Sequence, residues 1–234
     1  MPFVVISGAS KGIGKACAQQ FANEGFDLAI NARGEKALDE LAEALRAGDE
    51  EKIVLAIPTD MSNKDEVLSF AEQVLKSYGP PDVLINNAGL FQPGEILKEE
   101  DGALEQMIDT NLYSTYYLTR AFAPAMIEAG RGHIFNISSI AGLKAYPGGA
   151  SYCISKAAQL AFSRSLREEM KEHNIRVTAI LPGATYTASW EGVDLPESRF
   201  MPAEDIAKSI WDIYNLSGRT DVEEVILRPM EGDI

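Results

Sequence analysis

The stretch that decides the fold is "FVVISGASKGIG", residues Phe3 to Gly14. Its first five residues, Phe3–Ser7, are apolar except for Ser7 and largely β-branched, which predicts a buried parallel strand. Three glycines follow at once, and "GIGKACAQQFANEG" (Gly12–Gly25) then has helical spacing. Such glycines permit a tight turn and let a phosphate approach the backbone at the helix N-terminus. The spacing is neither G-x-G-x-x-G nor a P-loop; an ordinary flexible turn is the alternative interpretation.

Alternation of strand and helix continues along the chain. Further strands are predicted at Phe26–Ala32, Lys52–Asp60, Asp82–Gly89, His133–Ser139, Ile175–Leu181 and Val222–Pro229, and further helices at Glu35–Arg46, Lys64–Gly79, about Glu100–Ala129, Ser151–His173 and Ala203–Leu216. This pattern predicts an α/β fold of the Rossmann type: a doubly wound parallel sheet of about seven strands with helices on both faces. Ligands should bind beyond the carboxyl ends of the strands. Pro124 is expected to bend or break its long helix.

Composition narrows the class of protein. No linker divides the 234 residues, so residues 1–234 are predicted to form a single domain. The net charge of −14 argues against partners such as nucleic acid or an anionic membrane. No apolar run approaches the ~20 residues of a membrane span, and the N-terminus lacks a signal-peptide pattern. A cytoplasmic location is therefore expected. Cys17 and Cys153 have no spacing typical of a metal site or a disulfide framework.

The end of the second strand bears on the choice of a dinucleotide. Folds that prefer NAD place an acid there for the ribose 2′-hydroxyl, whereas this strand ends "INARG", with Arg33 and no acid. Arg33 can pair with a 2′-phosphate, and Lys11 in the glycine loop could reach the same group. These cations favour NADP(H) over NAD(H), although both could be solvated surface charges. Asp60 could accept a hydrogen bond from an adenine amino group or cap a helix.

A second constellation comes from "YCISK", where Tyr152 and Lys156 lie four residues apart in a predicted helix and so share one face. An ammonium beside a phenol favours the phenolate and lowers its pKa. Ser138 and Ser139 end the preceding strand. Asn111 lies inside a predicted helix, where Asn is unfavourable. It is either buried and bonded to backbone, or it displays a polar group to the site.

Taken in order, these motifs resemble the short-chain dehydrogenase/reductase family. They are "SGASKGIG" at 7–14, "NNAG" at 86–89, Asn111, "ISS" at 137–139, "YCISK" at 152–156 and "PGATYT" at 182–187. The resemblance covers roughly Phe3 to Thr187. It is nearest to 3-oxoacyl-(acyl-carrier-protein) reductases and NADP-dependent 3-hydroxy acid dehydrogenases. The C-terminal "EEVILRPMEGDI" departs from the Gly-rich end of the former, and both subfamilies stay open.

The resemblance implies an enzyme that interconverts a carbonyl compound and an alcohol. Tyr152 would be the proton donor or acceptor, Lys156 would hold the nicotinamide ribose and lower the tyrosine pKa, and Ser139 would bond the substrate oxygen. Asn111 would hold a water in a proton relay. The implied contacts to the cofactor are Gly8, Ser10, Lys11, Gly12, Ile13, Gly14, Arg33, Asp60, Met61, Asn87, Ala88, Gly89, Tyr152, Lys156, Pro182, Gly183, Thr185 and Thr187. No metal is implied. A protein that binds NADP as a sensor or scaffold without turnover is the alternative.

The substrate and the oligomer are less well defined by the sequence. Residues 188–201 are expected to cover the substrate, with Trp190 and Phe200 lining an apolar pocket or packing as a lid. The acids in this segment, Glu191, Asp194 and Glu197, would disfavour an anionic substrate unless they face water. Family members often pair their two long helices, which implies a homodimer or homotetramer. The apolar side chains expected on the exposed faces of these helices are Tyr116, Tyr117, Leu160 and Phe162.

Overall fold

One parallel sheet organises the molecule. The computed structural model of the protein describes residues 1–49, 51–187, 190 and 194–233. Within them the strands are β1 (Phe3–Ile6), β2 (Asp27–Ala32), β3 (Val54–Pro58), β4 (Val83–Asn86), β5 (Gly132–Ile137), β6 (Ile175–Pro182) and β7 (Glu224–Leu227). The α-helices are α1 (Gly12–Asn23), α2 (Glu35–Arg46), α3 (Lys64–Tyr78), α4 (Ala103–Ile108), α5 (Ser114–Ala129), α6 (Ala150–Met170) and α7 (Ala203–Tyr214).

The strand order places a crevice at the centre of the sheet. The order is β3-β2-β1-β4-β5-β6-β7, with every pairing parallel. Val4 of β1 therefore pairs with Leu28 on one side and Val83 on the other. The chain leaves β1 and β4 toward opposite edges, so the loops after these two strands diverge and open a crevice at their carboxyl ends. The predicted doubly wound sheet is confirmed.

Alternate residues of each strand face opposite sides and bury two apolar layers. Val4 and Ile6 pack with α1, α2 and α7 around Phe21. Phe3 and Val5 pack on the other face with α3, α5 and α6. Because helices cover both faces, the strands are mostly apolar, as the sequence predicted. The two layers share one sheet and form a single domain.

The long helix predicted over residues 100–129 has a different irregularity from the one expected. It consists of α4, a π-helical segment at Asp109–Tyr113 and α5. Pro124 lies inside α5 without ending it. The π-helical segment instead marks the interruption, and it carries Asn111. Such π segments in proteins are frequently found at functional sites.

Two further expectations about the helices can be compared with the structure. Leu160 is buried with Ala179 and Leu181, so the expectation that it lies on an exposed face is wrong. The reason is that its side of α6 packs on β6. Both cysteines, Cys17 and Cys153, are buried and unpaired with each other. No helix in the described ranges combines the length and the apolar character that crossing a membrane requires.

Candidate active site

A cavity of about 810 Å³ opens at the carboxyl ends of the strands. Its walls come from segments far apart in sequence: the glycine loop before α1, the loops after β2, β3 and β4, the end of β5, the start of α6 and the loop after β6. The crevice predicted from the strand order is therefore the place where the sequence motifs meet.

The glycine loop fits closely against the loop after β4. Asn87 Nδ2 donates to the carbonyl oxygens of Ser7 and Gly8, each at 2.9 Å. The Ser7 hydroxyl accepts hydrogen bonds from the backbone N–H groups of Asn87 and Ala88, each at 3.0 Å. A Cβ atom at Gly14 would lie 2.4 Å from Asn87 Nδ2 and 2.4 Å from the Gly8 carbonyl oxygen. Glycine is therefore required at position 14 by close packing.

Gly14→Ala is expected to lower the free energy of unfolding by about 1–3 kcal/mol, because the loop or Asn87 must move to admit the methyl group. The variant Gly218→Ala is a matched control, since its Cβ would meet nothing within 4 Å and its φ is not positive. Urea unfolding of both variants measures the difference. Equal stability of the two variants would contradict the packing role of Gly14.

The first turn of α1 is open to a ligand. Its N-cap, Lys11, makes no side-chain capping bond, so the first N–H groups of the helix have no side-chain acceptor at that position. Gly12 has φ +57°, and a Cβ there would meet Thr187 Cγ2 at 3.0 Å. This contact brings the "PGATYT" segment against the glycine loop. An uncapped helix N-terminus of this kind attracts phosphate.

Arg33 and Asp60 line the far end of the cavity. Arg33 is exposed. Hydrogen bonds from the backbone N–H and the hydroxyl of Ser62, together with the charge of Arg33, lower the pKa of Asp60. Asp60 does not cap α3; Asn63 does, because its Oδ1 accepts from Asp65 N and Glu66 N. The helix-cap alternative for Asp60 is therefore wrong.

Tyr152 lies in the first turn of α6 and faces the cavity. Phe91 packs edge-on against its ring, with the ring centroids 5.0 Å apart. Burial raises the pKa of Tyr152, and the Ser139 hydroxyl acts in the opposite direction. Ser139 follows β5; its Oγ accepts from Ala141 N at 3.1 Å and is 3.4 Å from the Pro182 carbonyl oxygen. The phenol is therefore protonated at neutral pH.

Lys156 lies one turn further along α6 and is 4% exposed. Its Nζ donates to the Ile137 carbonyl oxygen and to Gln159 Oε1, both at 2.9 Å, and lies 5.9 Å from the centroid of the Tyr152 ring. Burial lowers the pKa of Lys156 to about 7. The upward shift of the tyrosine pKa differs from the expectation that Lys156 would lower it. The reason is that burial disfavours both charged forms, the phenolate and the ammonium.

The buried ammonium of Lys156 makes stability depend on pH. Between pH 7 and 10.5 the unfolded chain binds the proton of Lys156 and the folded protein does not, so this group adds stability as pH rises. Relative to wild type, Lys156→Met is therefore expected to be most stable below pH 7 and to lose that relative gain as the pH approaches 10. Urea midpoints at pH 6, 8 and 10 test this, with the exposed Lys15→Met as control. A difference that is constant across this range, or opposite in trend, would contradict the buried charge.

Asn111 lies behind the cavity wall and does not line the cavity. Its Oδ1 accepts from Leu90 N at 2.6 Å, and its Nδ2 donates to the Leu90 carbonyl oxygen at 2.9 Å and to Ser155 Oγ at 2.8 Å. Asn111 is fully buried. The sequence left two interpretations of Asn111 open, and this geometry agrees with the one in which its side chain is buried and bonded to the backbone. The amide fixes the loop after β4 relative to α6.

Most of the residues expected in the site share this cavity. Those that line it are Gly8, Ser10, Lys11, Gly12, Ile13, Arg33, Asp60, Met61, Asn87, Ala88, Gly89, Ser139, Tyr152, Lys156, Pro182, Gly183, Thr185 and Thr187. Gly14 and Asn111 stand behind the wall. Residues that the sequence reasoning missed also line it: Phe91, Lys144, Tyr146, Arg228 and Asp233. Their sequence signal is position alone: Arg228 lies near the end of a predicted strand, and the other four follow one within a few residues.

The segment expected to cover the substrate is described in part. Trp190 lines the cavity, and Phe200 is buried against it with the ring centroids 5.0 Å apart. Asp194 and Glu197 are exposed. Glu191 lies outside the described residues. The C-terminal tail reaches the same region, where Arg228 pairs with Asp233 and Arg199 lies 3.5 Å from Glu231.

Comparison with known proteins agrees with this architecture. The family model described as short chain dehydrogenase matches residues 2–197. A sepiapterin reductase of Chlorobaculum tepidum is 36% identical over 241 residues, covering 99% of this chain and 97% of that protein. An alcohol dehydrogenase of Thermococcus sibiricus, solved with 5-hydroxy-NADP, superposes with a TM-score of 0.91 at 27% identity, covering 100% of this chain and 99% of that one.

A metagenomic short-chain oxidoreductase solved with NADP has a TM-score of 0.85 and 33% identity, and the match covers 98% of this chain and 97% of that one. The matched residues include the glycine loop, the Tyr152–Lys156 pair and the strands that position them. Family, fold and the convergence of the motifs on one cavity agree. This protein belongs to the short-chain dehydrogenase family and is an oxidoreductase.

Proposed function

We propose that this protein uses NADP(H) to interconvert a ketone or aldehyde and the corresponding alcohol, with Tyr152 as proton donor and acceptor. The observation that carries the proposal is the sharing of one cavity by two sets of groups. Ser139, Tyr152 and Lys156 reach the cavity from β5 and α6, and the glycine loop and Arg33 reach it from β1 and β2, on the other side of the central crevice in the strand order. A dinucleotide laid along the cavity would have its phosphates at the loop and its reactive ring near the phenol.

The residues present fit such a dinucleotide. The close packing of Gly14 and the positive φ of Gly8 and Gly12 leave a shallow cradle at the uncapped start of α1. Arg33 supplies a cation where an NAD-preferring chain has an acid. The Thermococcus and metagenomic relatives were solved with 5-hydroxy-NADP and NADP, which supports the same choice. When bound, NADPH supplies the hydride, and the protein supplies position and a proton.

Each side chain has a role that follows from its surroundings. Tyr152 is protonated at neutral pH, so it can donate a proton to a substrate oxygen during reduction and recover it in the reverse reaction. The Ser139 hydroxyl accepts from Ala141 N and donates a long bond of 3.4 Å to the Pro182 carbonyl oxygen, so its proton can turn to stabilise the charge developing on the substrate oxygen. Lys156 has a third N–H beyond its two bonds, and this can hold the ribose near Tyr152.

A panel of carbonyl compounds tests the proposal. The purified protein is incubated with NADPH and, in turn, with 3-oxoacyl thioesters, 3-oxo acids, sepiapterin, and simple ketones and aldehydes. Oxidation of NADPH is followed as the loss of absorbance of its reduced nicotinamide ring. We expect turnover of at least one compound, with NADPH preferred over NADH. Binding of NADPH without turnover of any compound would instead support the alternative, a non-catalytic NADP-binding sensor or scaffold.

The proposed substrate class is a 3-oxoacyl compound or a 3-hydroxy acid. Lys144 and Arg228 line the cavity and could approach an anionic group, although Arg228 is already paired with Asp233. The sepiapterin reductase relative is the reason for including a bicyclic ketone in the panel. All of these compounds can be reduced at a carbonyl group, so reduction alone does not identify the substrate. The compound with the highest kcat/KM in the panel identifies the preferred substrate class.

We also propose that the protein acts in the cytoplasm as a homodimer or homotetramer, paired through α5 and α6. Tyr113 is 44% exposed, and Tyr116, Tyr117 and Phe162 cluster beside it with centroid distances of 5.6–5.8 Å. An aromatic face of this kind suits an interface. Sedimentation velocity of wild type and Tyr116→Glu tests the assembly.

A further inference from the structure

Gln159 lies one turn after Lys156 on α6 and is completely buried. A buried amide is costly unless its polar atoms are bonded. Both ends of this side chain are satisfied: Oε1 accepts from Lys156 Nζ at 2.9 Å, and Nε2 donates to Thr115 Oγ1 at 2.9 Å. Gln159 is therefore fixed in orientation, with its oxygen aimed at the ammonium.

The amide connects the lysine to a second helix. The Thr115 hydroxyl, which accepts from Gln159 Nε2, donates to the Asn111 carbonyl oxygen at 3.3 Å. The resulting chain runs from Lys156 through Gln159 and Thr115 to the π-helical segment. Because Thr115 is also fully buried, the Gln159 oxygen cannot turn away from Lys156 without leaving a buried donor unpaired.

The surroundings of the ammonium offer few other partners. On its own helix the titratable neighbour is Tyr152. The end of β5 presents the Ile137 carbonyl oxygen and the Ser138 hydroxyl, the loop after β4 presents Gly89, and the π-helical segment presents Asn111. Among the described residues no carboxylate oxygen lies within 4.0 Å of Lys156 Nζ, and burial is what lowers its pKa. Gln159 Oε1 is the side-chain acceptor that it contacts there.

We propose that Gln159 is a positioning residue that favours the ammonium form of Lys156 over the neutral amine and directs its remaining N–H toward the cavity. The proposal rests on the proposed function for its catalytic meaning. Its physical content is independent of turnover: a hydrogen bond from a charged donor stabilises the ammonium over the neutral amine. Removing the acceptor must favour the neutral form, and replacing it by a carboxylate must favour the ammonium.

The pKa of Lys156 can be measured directly by NMR on the full chain labelled with ¹³Cε-lysine, with Lys156→Met to assign the signal. Gln159→Leu is expected to lower the Lys156 pKa by about one to two units, from the usual strength of a hydrogen bond to a charged group. Gln159→Glu is expected to raise it by at least as much. Ser163→Ala is the matched control, because Ser163 Oγ donates to the backbone oxygen of Gln159 and accepts from Asn136 Nδ2, and so bonds neither the Gln159 side chain nor Lys156. It should leave the pKa unchanged.

Opposite shifts in the Leu and Glu variants, with none in the control, support the role. Unchanged pKa values, or a shift in the same direction in both variants, would overturn it. If Gln159→Leu does not fold, the Lys156 pKa in Gln159→Glu still tests the role of Gln159, because the proposal requires that this pKa rise. With a substrate from the panel, the high-pH limb of kcat/KM should move with the Lys156 pKa. Because the NMR titration needs neither cofactor nor substrate, failure of the proposed reaction is distinguished from failure of the Gln159 role.

Discussion

Tyr152→Phe is expected to reduce kcat for carbonyl reduction by about 10²–10⁴-fold, the usual contribution of a positioned general acid. The phenol hydroxyl is removed, but the ring keeps its edge-on contact with Phe91 at a centroid distance of 5.0 Å. The fold and the binding of NADPH should therefore remain. We expect a dissociation constant for NADPH within about threefold of wild type, because the phenol hydroxyl contributes at most one weak hydrogen bond to the dinucleotide. Steady-state kinetics and fluorescence titration with NADPH measure the two quantities.

Tyr146→Phe provides the control for this experiment. Tyr146 lines the same cavity, and burial raises its pKa to about 12, yet it lies outside the Tyr152–Lys156 pair. The substitution removes an equivalent hydroxyl from the same site and is expected to change kcat by less than about tenfold. If Tyr152→Phe retained wild-type turnover, or if Tyr146→Phe lost as much activity, Tyr152 would not be the proton donor.

Arg33→Asp is expected to weaken NADPH binding by about 10–100-fold, the equivalent of one or two hydrogen bonds to a charged group. NADH binding should change by less than about threefold, or improve, because an acid at this position can accept from the ribose 2′-hydroxyl. The physical reason is that the carboxylate repels the 2′-phosphate that the guanidinium attracts. Titration of the variant with each dinucleotide separates the two effects.

Lys36→Asp makes the same change in net charge nearby. The Lys36 side chain is 92% exposed, is not among the cavity-lining residues, and forms a long pair with Glu40 at 3.9 Å. It should weaken NADPH by less than about threefold, since exposed charges are screened by salt. Equal losses for NADPH and NADH in Arg33→Asp would remove the argument for a 2′-phosphate. So would an equal loss in both variants, which would indicate a general charge effect.

Much of the fold followed from the sequence because its signals are local. Apolar runs bounded by glycine predict strands such as β1 and β4, and the helical spacing of Leu38, Leu41 and Leu45 predicts α2 with the bounds that the structure shows. The sequence pattern did not predict features that depend on packing between distant segments. Pro124 was expected to interrupt the long helix, but the interruption is the π-helical segment around Asn111, whose side chain is bonded to the loop after β4.

The sequence by itself determined the strand–helix alternation, the glycine loop and the pairing of Tyr152 with Lys156, because each of these features depends on residues that are close together in the sequence. Only the tertiary structure decided how deeply Lys156 is buried and that Gln159 bonds its ammonium. It also decided that Tyr146 and Asp233 reach the same cavity. The reason is that burial and hydrogen-bond partners are set by segments more than 40 residues apart, such as Gln159 and Thr115. No local pattern records which of these segments meet.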